Sequence, residues 1–311
     1  MRAIVAEGTG GPEVLREVEL PQPEPGIGEV LVRVHAAGTN PVDWKTRAGH
    51  GMSGLFGDSP RVLGWDVAGT VERLGFGVTR FEVGDRVFGL PRFPHPGRAY
   101  AEYLTAPPRH LVRTPARMDD VHAAGLPLCG LTAWQALYDT AGLRAGQRVL
   151  IHGAGGGVGH LAVQLARLRG AEVVGTASAG KHEALRELGA HELVDYRTVD
   201  FEDAVGKVDV VLDTVGGDYP QRSLAVLNPG GTLVSLASRT LPEGPEVAAK
   251  GIRCAWMLVE PDHHALSLLA DLFDQGKITV RVERTSPLSE VRSVHAELEQ
   301  GRGFGKSVLL P

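Results

Sequence analysis

Five glycines fall within seven positions of Gly153-Ala154-Gly155-Gly156-Gly157-Val158-Gly159. So much backbone freedom serves a tight turn, or lets a ligand approach the main chain closely. The stretch fits A-x-G-x-x-G over Ala154, Gly156 and Gly159, a dinucleotide fingerprint in which backbone N–H groups and a helix N-terminus receive a pyrophosphate. Gly155, Gly156, Gly157 and Val158 are therefore expected to cradle phosphate. The phosphate loop of nucleotide hydrolases is excluded, because that chemistry requires Gly-Lys-Ser/Thr and this turn has no lysine.

The next strand decides which dinucleotide. An acid there would bond the ribose hydroxyls of NAD. Instead the strand ends in Thr176-Ala177-Ser178, with Lys181 just beyond and Tyr196 after a further short strand. No carboxylate repels a 2′-phosphate, while Ser178 and Lys181 can receive one and Tyr196 can stack nearby. NADPH is the expected cofactor.

An apolar strand at 148–152 leads into the turn, and a helix carrying Leu161, Leu165 and Leu168 leaves it. Ala162 and Ala166 would let that helix approach the sheet closely. Further strands are expected at 172–176, 192–195, 208–213 and 232–237, with helices at about 181–188 and 219–227 and a turn at Asn228-Pro229-Gly230-Gly231. Repeated units of this length imply a Rossmann-type parallel sheet covered by helices, an α/β architecture. Before about residue 120 the texture is short strands bounded by Gly or Pro, with Val30, Val32 and Val34 on one face and Arg33 and His35 on the other. That region reads as a compact β-barrel-like fold. The end carries an amphipathic helix from Pro261, a strand near 278–282, a helix with Val291, Val294 and Leu298, and a last strand Lys306–Pro311 expected to return to the first domain. The expected domains are 1–120 plus 262–311, and an inserted 121–261, with a cleft between them.

Composition narrows the partners. The chain has 311 residues, 43% hydrophobic and 22% charged, with net charge −5 and no basic stripe. Neither nucleic acid nor an anionic membrane suits that surface. No apolar run is long enough to span a bilayer, and the start of the chain does not read as a signal peptide. Cys129 and Cys254 form no C-x-x-C pair, so a reducing cytoplasm is expected.

Further stretches carry a resemblance: AAGTNPVDWKTRAG (36–49), PRVLGWDVAGTVERLG (60–75), VGDRVFGL (83–90), LPLCGLTAWQAL (126–137), GAGGGVGHLAVQLA, and DTVGG (213–217), which includes Val215. Together and in this order they resemble the medium-chain dehydrogenase/reductase superfamily, within it the zinc-independent quinone oxidoreductase, zeta-crystallin-like branch. The resemblance implies a GroES-like β-rich catalytic domain, a homodimer associating near 251–258, and roles for single residues. Asn40 would contact the nicotinamide end, and Asp43 would orient its loop. Thr132 would contact nicotinamide or ribose, Val215 and Lys306 would reach cofactor, and Lys306 could also face substrate. Lys45 stands where some members carry a substrate-facing tyrosine and could donate a hydrogen bond or proton.

Zinc-dependent members place a cysteine ligand near Asn40 and Gly-His-Glu where this chain has Gly64-Trp65-Asp66. Carboxamide and indole are poor zinc ligands, and one thiol at Cys129 cannot hold the metal. No metal is expected. Without a Lewis acid, simple alcohols are hard to oxidise, whereas a conjugated acceptor takes hydride and spreads the charge onto oxygen. A quinone is the expected acceptor, with enone or enal reduction as the alternative. A crystallin-like or regulatory protein that holds NADPH without turnover is the reading from another class.

Overall fold

The computed structural model describes residues 1–57 and 61–311. Pro60 of the motif at 60–75 lies outside the described residues. The chain forms two compact units, residues 1–131 with 260–311, and residues 132–259.

In the first unit, strands β1 (Arg2–Ala6) and β2 (Leu15–Glu19) pair as an antiparallel ribbon. They are followed by β3 (Val30–Gly38), β4 (Asp66–Leu74), β5 (Arg86–Gly89), β6 (Tyr103–Ala106) and β7 (Leu111–Arg113). Helix α1 (Pro41–Arg47) follows β3, while α2 (Asp120–Gly125) and the start of α3 (Pro127–Trp134), whose residues from Thr132 on belong to the second unit, follow β7. The expected boundary near 120 falls too early, because α2 packs on β3 and β4 and so belongs to this unit.

β3 is the hub, bonded antiparallel to β4 and to β6. Being central, it hides Leu31 as well as Val30, Val32 and Val34, so the expected alternation survives only at Arg33 and half-buried His35. β3 ends at Gly38, where an added Cβ would lie 2.1 Å from the Ala124 carbonyl oxygen. Only glycine lets α2 come this close to the strand that leads into Asn40.

The second unit holds β8 (Arg148–His152), α4 (Gly157–Leu168), β9 (Glu172–Thr176), α5 (His182–Glu187) and β10 (Glu192–Val194). Next come α6 (Phe201–Ala204), β11 (Val208–Asp213), α7 (Tyr219–Ser223), β12 (Leu227–Ser235), α8 (Pro245–Ala249) and β13 (Arg253–Trp256). The six strands run parallel in the order β10-β9-β8-β11-β12-β13. This is the dinucleotide-binding order, and its direction reverses between β8 and β11. Leu150, Val174, Val211 and Leu233 supply one core layer, closed by Phe201 and Leu224.

Three expectations shift here. Leu168 is 44% exposed at the end of α4 rather than in its apolar stripe. The helix expected to reach residue 227 stops at Ser223, and the Asn-Pro-Gly-Gly segment lies within β12, with Gly230 at φ +77°.

The chain then returns to the first unit through α9 (His263–Asp274), β14 (Val282–Pro287), α10 (Val291–Glu299) and β15 (Lys306–Leu310). β14 begins where the expected strand ends, at Val282. β15 lies parallel to β14 and antiparallel to β3, setting Val308 against Gly38 and Leu309 against Ala37.

Candidate active site

In the second unit the glycine turn grows out of the end of β8. Gly153 has φ +69°, a left-handed conformation, and a Cβ there would meet Thr214 Oγ1 at 2.5 Å. The turn is tied to β9: Gly153 N–H donates to Thr176 Oγ1 at 3.2 Å, and Ala154 N–H donates to the Thr176 carbonyl at 3.0 Å. Gly156 N-caps α4 without any side-chain hydrogen bond, so no side chain of the cap covers the N-terminal N–H groups and positive dipole end of the helix. At Gly159 a Cβ would sit 2.2 Å from the Gly153 carbonyl oxygen, so only glycine lets the helix start against the turn. Leu161, Ala162, Leu165 and Ala166 bury the inner face of that helix completely.

Lys181 lies against this turn. Its Cδ is 2.6 Å from where a Gly155 Cβ would be, so the side chain crosses the bare glycine backbone. Ser178 is half-buried at the start of the turn carrying Lys181, whose N–H donates to the Ser178 carbonyl at 2.9 Å. Tyr196 is 48% exposed, and the Arg197 guanidinium lies 5.8 Å from its ring centre. Sequence reasoning missed Arg197; a cation next to an exposed tyrosine was the available signal. The Asp195 carboxylate accepts from Arg197 N–H and Ala179 N–H, each at 3.0 Å, which holds its pKa below the usual range and fixes the loop.

Across the reversal point, Asp213 shapes the loop that carries Val215. Its Oδ1 accepts from the N–H groups of Val215 and Gly216, each at 2.9 Å, and its Oδ2 from Ser235 Oγ at 2.7 Å. Val215 is thereby presented 49% exposed. Thr214 Oγ1 donates to the His152 carbonyl at 2.8 Å, joining this loop to the glycine turn. His152 itself is buried among Phe201 and Tyr219, and burial pushes its pKa down to about 4. Thr132 is buried on α3.

The first unit holds a buried polar cluster. Asn40 follows β3 and opens α1; its backbone N–H donates to Asp43 Oδ2 at 2.6 Å, so Asp43 does fasten the turn. Tyr100 Oη donates to the same oxygen at 2.8 Å, while Asp43 Oδ1 has no hydrogen-bond partner among the described residues. Burial raises the Asp43 pKa to about 7 against these hydrogen bonds. Asn40 Nδ2 donates to Asp66 Oδ2 at 2.9 Å, and Asp66 Oδ1 accepts from Leu128 N–H at 2.7 Å. Asp66 is thus a hydrogen-bond anchor rather than an acid. Burial pushes its pKa up and Lys306 pulls it back; with donors only around it, the carboxylate form is the one the site solvates.

Lys306 corrects an expectation. Rather than standing free to meet a cofactor or substrate, its ammonium is buried and donates to the Thr39 carbonyl at 2.8 Å, to Asn40 Oδ1 and to Asp66 Oδ2 at 3.1 Å. It also lies 3.5 Å from Cys129 Sγ. Burial opposes its charge, but the negative groups around it outweigh that and hold its pKa above the ordinary value. The Cys129 thiol donates to Asn40 Oδ1 at 3.5 Å, and burial pushes its pKa up, so it is an inert neutral group rather than a nucleophile. Lys45 is half-buried on α1, with its ammonium 5.7 Å from the Trp44 ring centre. Trp65 is fully buried; its Nε1 donates to the His95 carbonyl at 2.7 Å and its ring stands edge-on to Phe56 and Phe93.

Two family descriptions match the chain: an alcohol dehydrogenase GroES-like domain over residues 26–116, and a zinc-binding dehydrogenase domain over 188–309. A 2-haloacrylate reductase from a Burkholderia species is 37% identical over 332 residues, spanning 99% of this chain and 98% of its own length. The chain belongs to the quinone oxidoreductase branch of the medium-chain dehydrogenase/reductase superfamily. It is an oxidoreductase of that family, acting with a nicotinamide cofactor. The quinone oxidoreductase structure from Coxiella burnetii aligns with a TM-score of 0.94 at 38% identity, covering 100% of this chain and 99% of the other. That of Escherichia coli quinone oxidoreductase complexed with NADPH aligns at 0.89 and 30% identity, covering 100% of each. No helix among the described residues is long and apolar enough to cross a membrane.

Zinc, named in the second family description, does not fit the residues of this superfamily member. The donor set is a carboxamide, one carboxylate and one thiol, already gathered around an internal ammonium. A divalent ion placed there would face the Lys306 charge at contact distance, and only one of its ligands would be the soft donor that zinc favours. A nicotinamide dinucleotide does fit the second unit: Gly153 and Gly159 leave no room for a Cβ, and α4 starts without a side-chain cap.

Proposed function

We propose that this protein is a metal-free reductase that uses NADPH to deliver hydride to a quinone or another conjugated carbonyl acceptor. The observation that carries the reading is the Lys306 ammonium at the centre of Asn40, Asp66 and Cys129, the positions that the resemblance sets against the zinc ligands of zinc-dependent members. NADPH, when bound, would supply a hydride, that is one proton with two electrons; the acceptor must then hold negative charge without a metal. A quinone or an alkene conjugated to a carbonyl does so by moving the charge onto oxygen, and a solvent-derived proton completes the product.

The protein's part is binding, orientation and charge stabilisation. Gly155, Gly156, Gly157 and Val158 hold the pyrophosphate at the N-terminus of α4. Ser178 and Lys181 take the 2′-phosphate, joined by Arg197, with Tyr196 as stacking surface. Val215 and Thr132 line the nicotinamide half. Asn40 shapes the floor of the reacting end, and Lys45 offers its ammonium to the oxygen that gains charge. NADPH is preferred over NADH because the end of β9 supplies no carboxylate for a free ribose 2′-hydroxyl. Both cysteines are free thiols, which suits a reducing compartment such as the cytoplasm. The edge strand β13, paired among the described residues only with β12, offers the surface for a homodimer.

A second reading, reduction of an activated alkene, is favoured by the full-length similarity to a 2-haloacrylate reductase. Oxidation of NADPH and of NADH is to be followed with a quinone, an enone, an enal and 2-haloacrylate side by side. Quinone-dependent turnover supports the first reading, and turnover with the alkenes alone supports the second. Tight NADPH binding with no turnover on any acceptor contradicts both and leaves a binding protein.

A further inference from the structure

We infer that Lys306 is a positioning residue, whose ammonium acts as a fixed internal cation that orients the Asn40 carboxamide and anchors the Thr39–Asn40 turn into α1. This rests on the reading that Asn40 and Lys45 serve the reacting end. Four acceptor atoms from three separate segments converge on one nitrogen: the Thr39 carbonyl, Asn40 Oδ1, Asp66 Oδ2 and Cys129 Sγ. Such a set of acceptors suits a cation, and a lysine with three N–H groups serves as one here.

The cation also settles an orientation that shape alone leaves open. The two ends of a carboxamide are nearly the same size. With Oδ1 toward Lys306 and Cys129, and Nδ2 toward Asp66, every contact pairs a donor with an acceptor. Flipped, the amide would set its NH₂ against an ammonium and its oxygen against a carboxylate. Lys306 therefore locks Asn40 in one state, and Asp66 locks it from the other side.

The position of the ammonium is fixed in turn by the fold. β15 is held between β14 and β3, and Thr39 donates to the Ser307 carbonyl through both its N–H at 3.0 Å and its hydroxyl at 2.9 Å. The last strand thus brings a charge to the turn at the end of β3. Displacing that turn moves α1 and Lys45 with it.

Lys306→Met tests this, and Lys306→Met/Asp66→Asn provides an uncharged pair that folds without leaving a buried carboxylate unmatched. For both, kcat with the acceptor is expected to fall about 10²-fold, the loss a misplacement of about 1 Å causes, with KM for NADPH unchanged. In Lys306→Ala, added ethylammonium is expected to restore part of that loss by refilling the cation position. A crystal structure of the double variant is expected to show the Asn40 carboxamide rotated. Wild-type kcat in the folded double variant, or an unmoved Asn40 in its crystal structure, overturns the proposal. Were the wild-type protein to reduce no acceptor, the functional reading would fall, and the orientation of Asn40 in the crystal would still decide the role of Lys306.

Discussion

Lys181 crosses the glycine turn with its stem, which sets its positive charge beside Gly155. Lys181→Ala is expected to raise KM for NADPH about tenfold or more, since a charge-assisted hydrogen bond contributes about 1.5–3 kcal/mol. KM for NADH should not change, because that cofactor has no 2′-phosphate; equal effects on both would remove Lys181 from the phosphate site. Asp43 makes a different prediction. Its folded pKa of about 7 lies above its ordinary 3.8, so the folded state holds the extra proton between those values. Stability from this group therefore falls as pH rises from about 4 to 7. Denaturant titrations of Asp43→Asn against wild type should show the variant gaining relative stability over that window. A difference that is flat with pH would mean that Asp43 stays ionised. The misreading of Lys306 also belongs to this scale. A lysine in a closing Gly-Lys-Ser carries no local sign of burial, and its partners Cys129 and Asp66 are 177 and 240 residues away. Nothing local in the sequence announces a buried ion pair of that separation.

Helix α4 begins against the Gly153 carbonyl, so Gly159→Ala must push helix and turn apart. A cost of about 1–3 kcal/mol is expected for such overpacking, together with loss of NADPH binding. Thermal unfolding and cofactor titration check it; a variant that binds NADPH with wild-type affinity would mean the turn tolerates the shift. At the end of β8, His152 is buried and neutral, with its pKa depressed to about 4 from 6.5. Its contribution is fully present above about 6.5 and is lost as pH falls toward 4. The stability advantage of wild type over His152→Gln should shrink across that window, and an advantage constant with pH would show that His152 is not buried neutral. The elements around this site were legible because each strand of the parallel sheet is a short apolar run with a glycine stop beyond it: 148–152, 172–176 and 208–213 stand as read. Where tertiary pairing competes with local signals, reading failed. Asn-Pro-Gly-Gly has turn chemistry yet runs within β12, and the segment before Val282 is apolar yet the ladder with β15 starts only there.

At the scale of the whole molecule, sequence texture separated a β-rich unit from a βα-repeat unit, because period-two and period-3.6 patterns are physically distinct. It placed the first boundary too early, since a helix that packs on β3 and β4 looks in sequence like the start of the helical half. Association through β13 predicts a dimer by light scattering, with Ala255→Pro in that edge weakening it and a monomeric wild type contradicting it. The central claim is that an internal ammonium stands where a metal would act. The direct measurement is acceptor-dependent NADPH oxidation by protein freed of metal with a strong chelator, with metal content determined on the same sample. Undiminished turnover without stoichiometric zinc is the expected result. Activity lost on chelation and restored by added zinc would contradict the account.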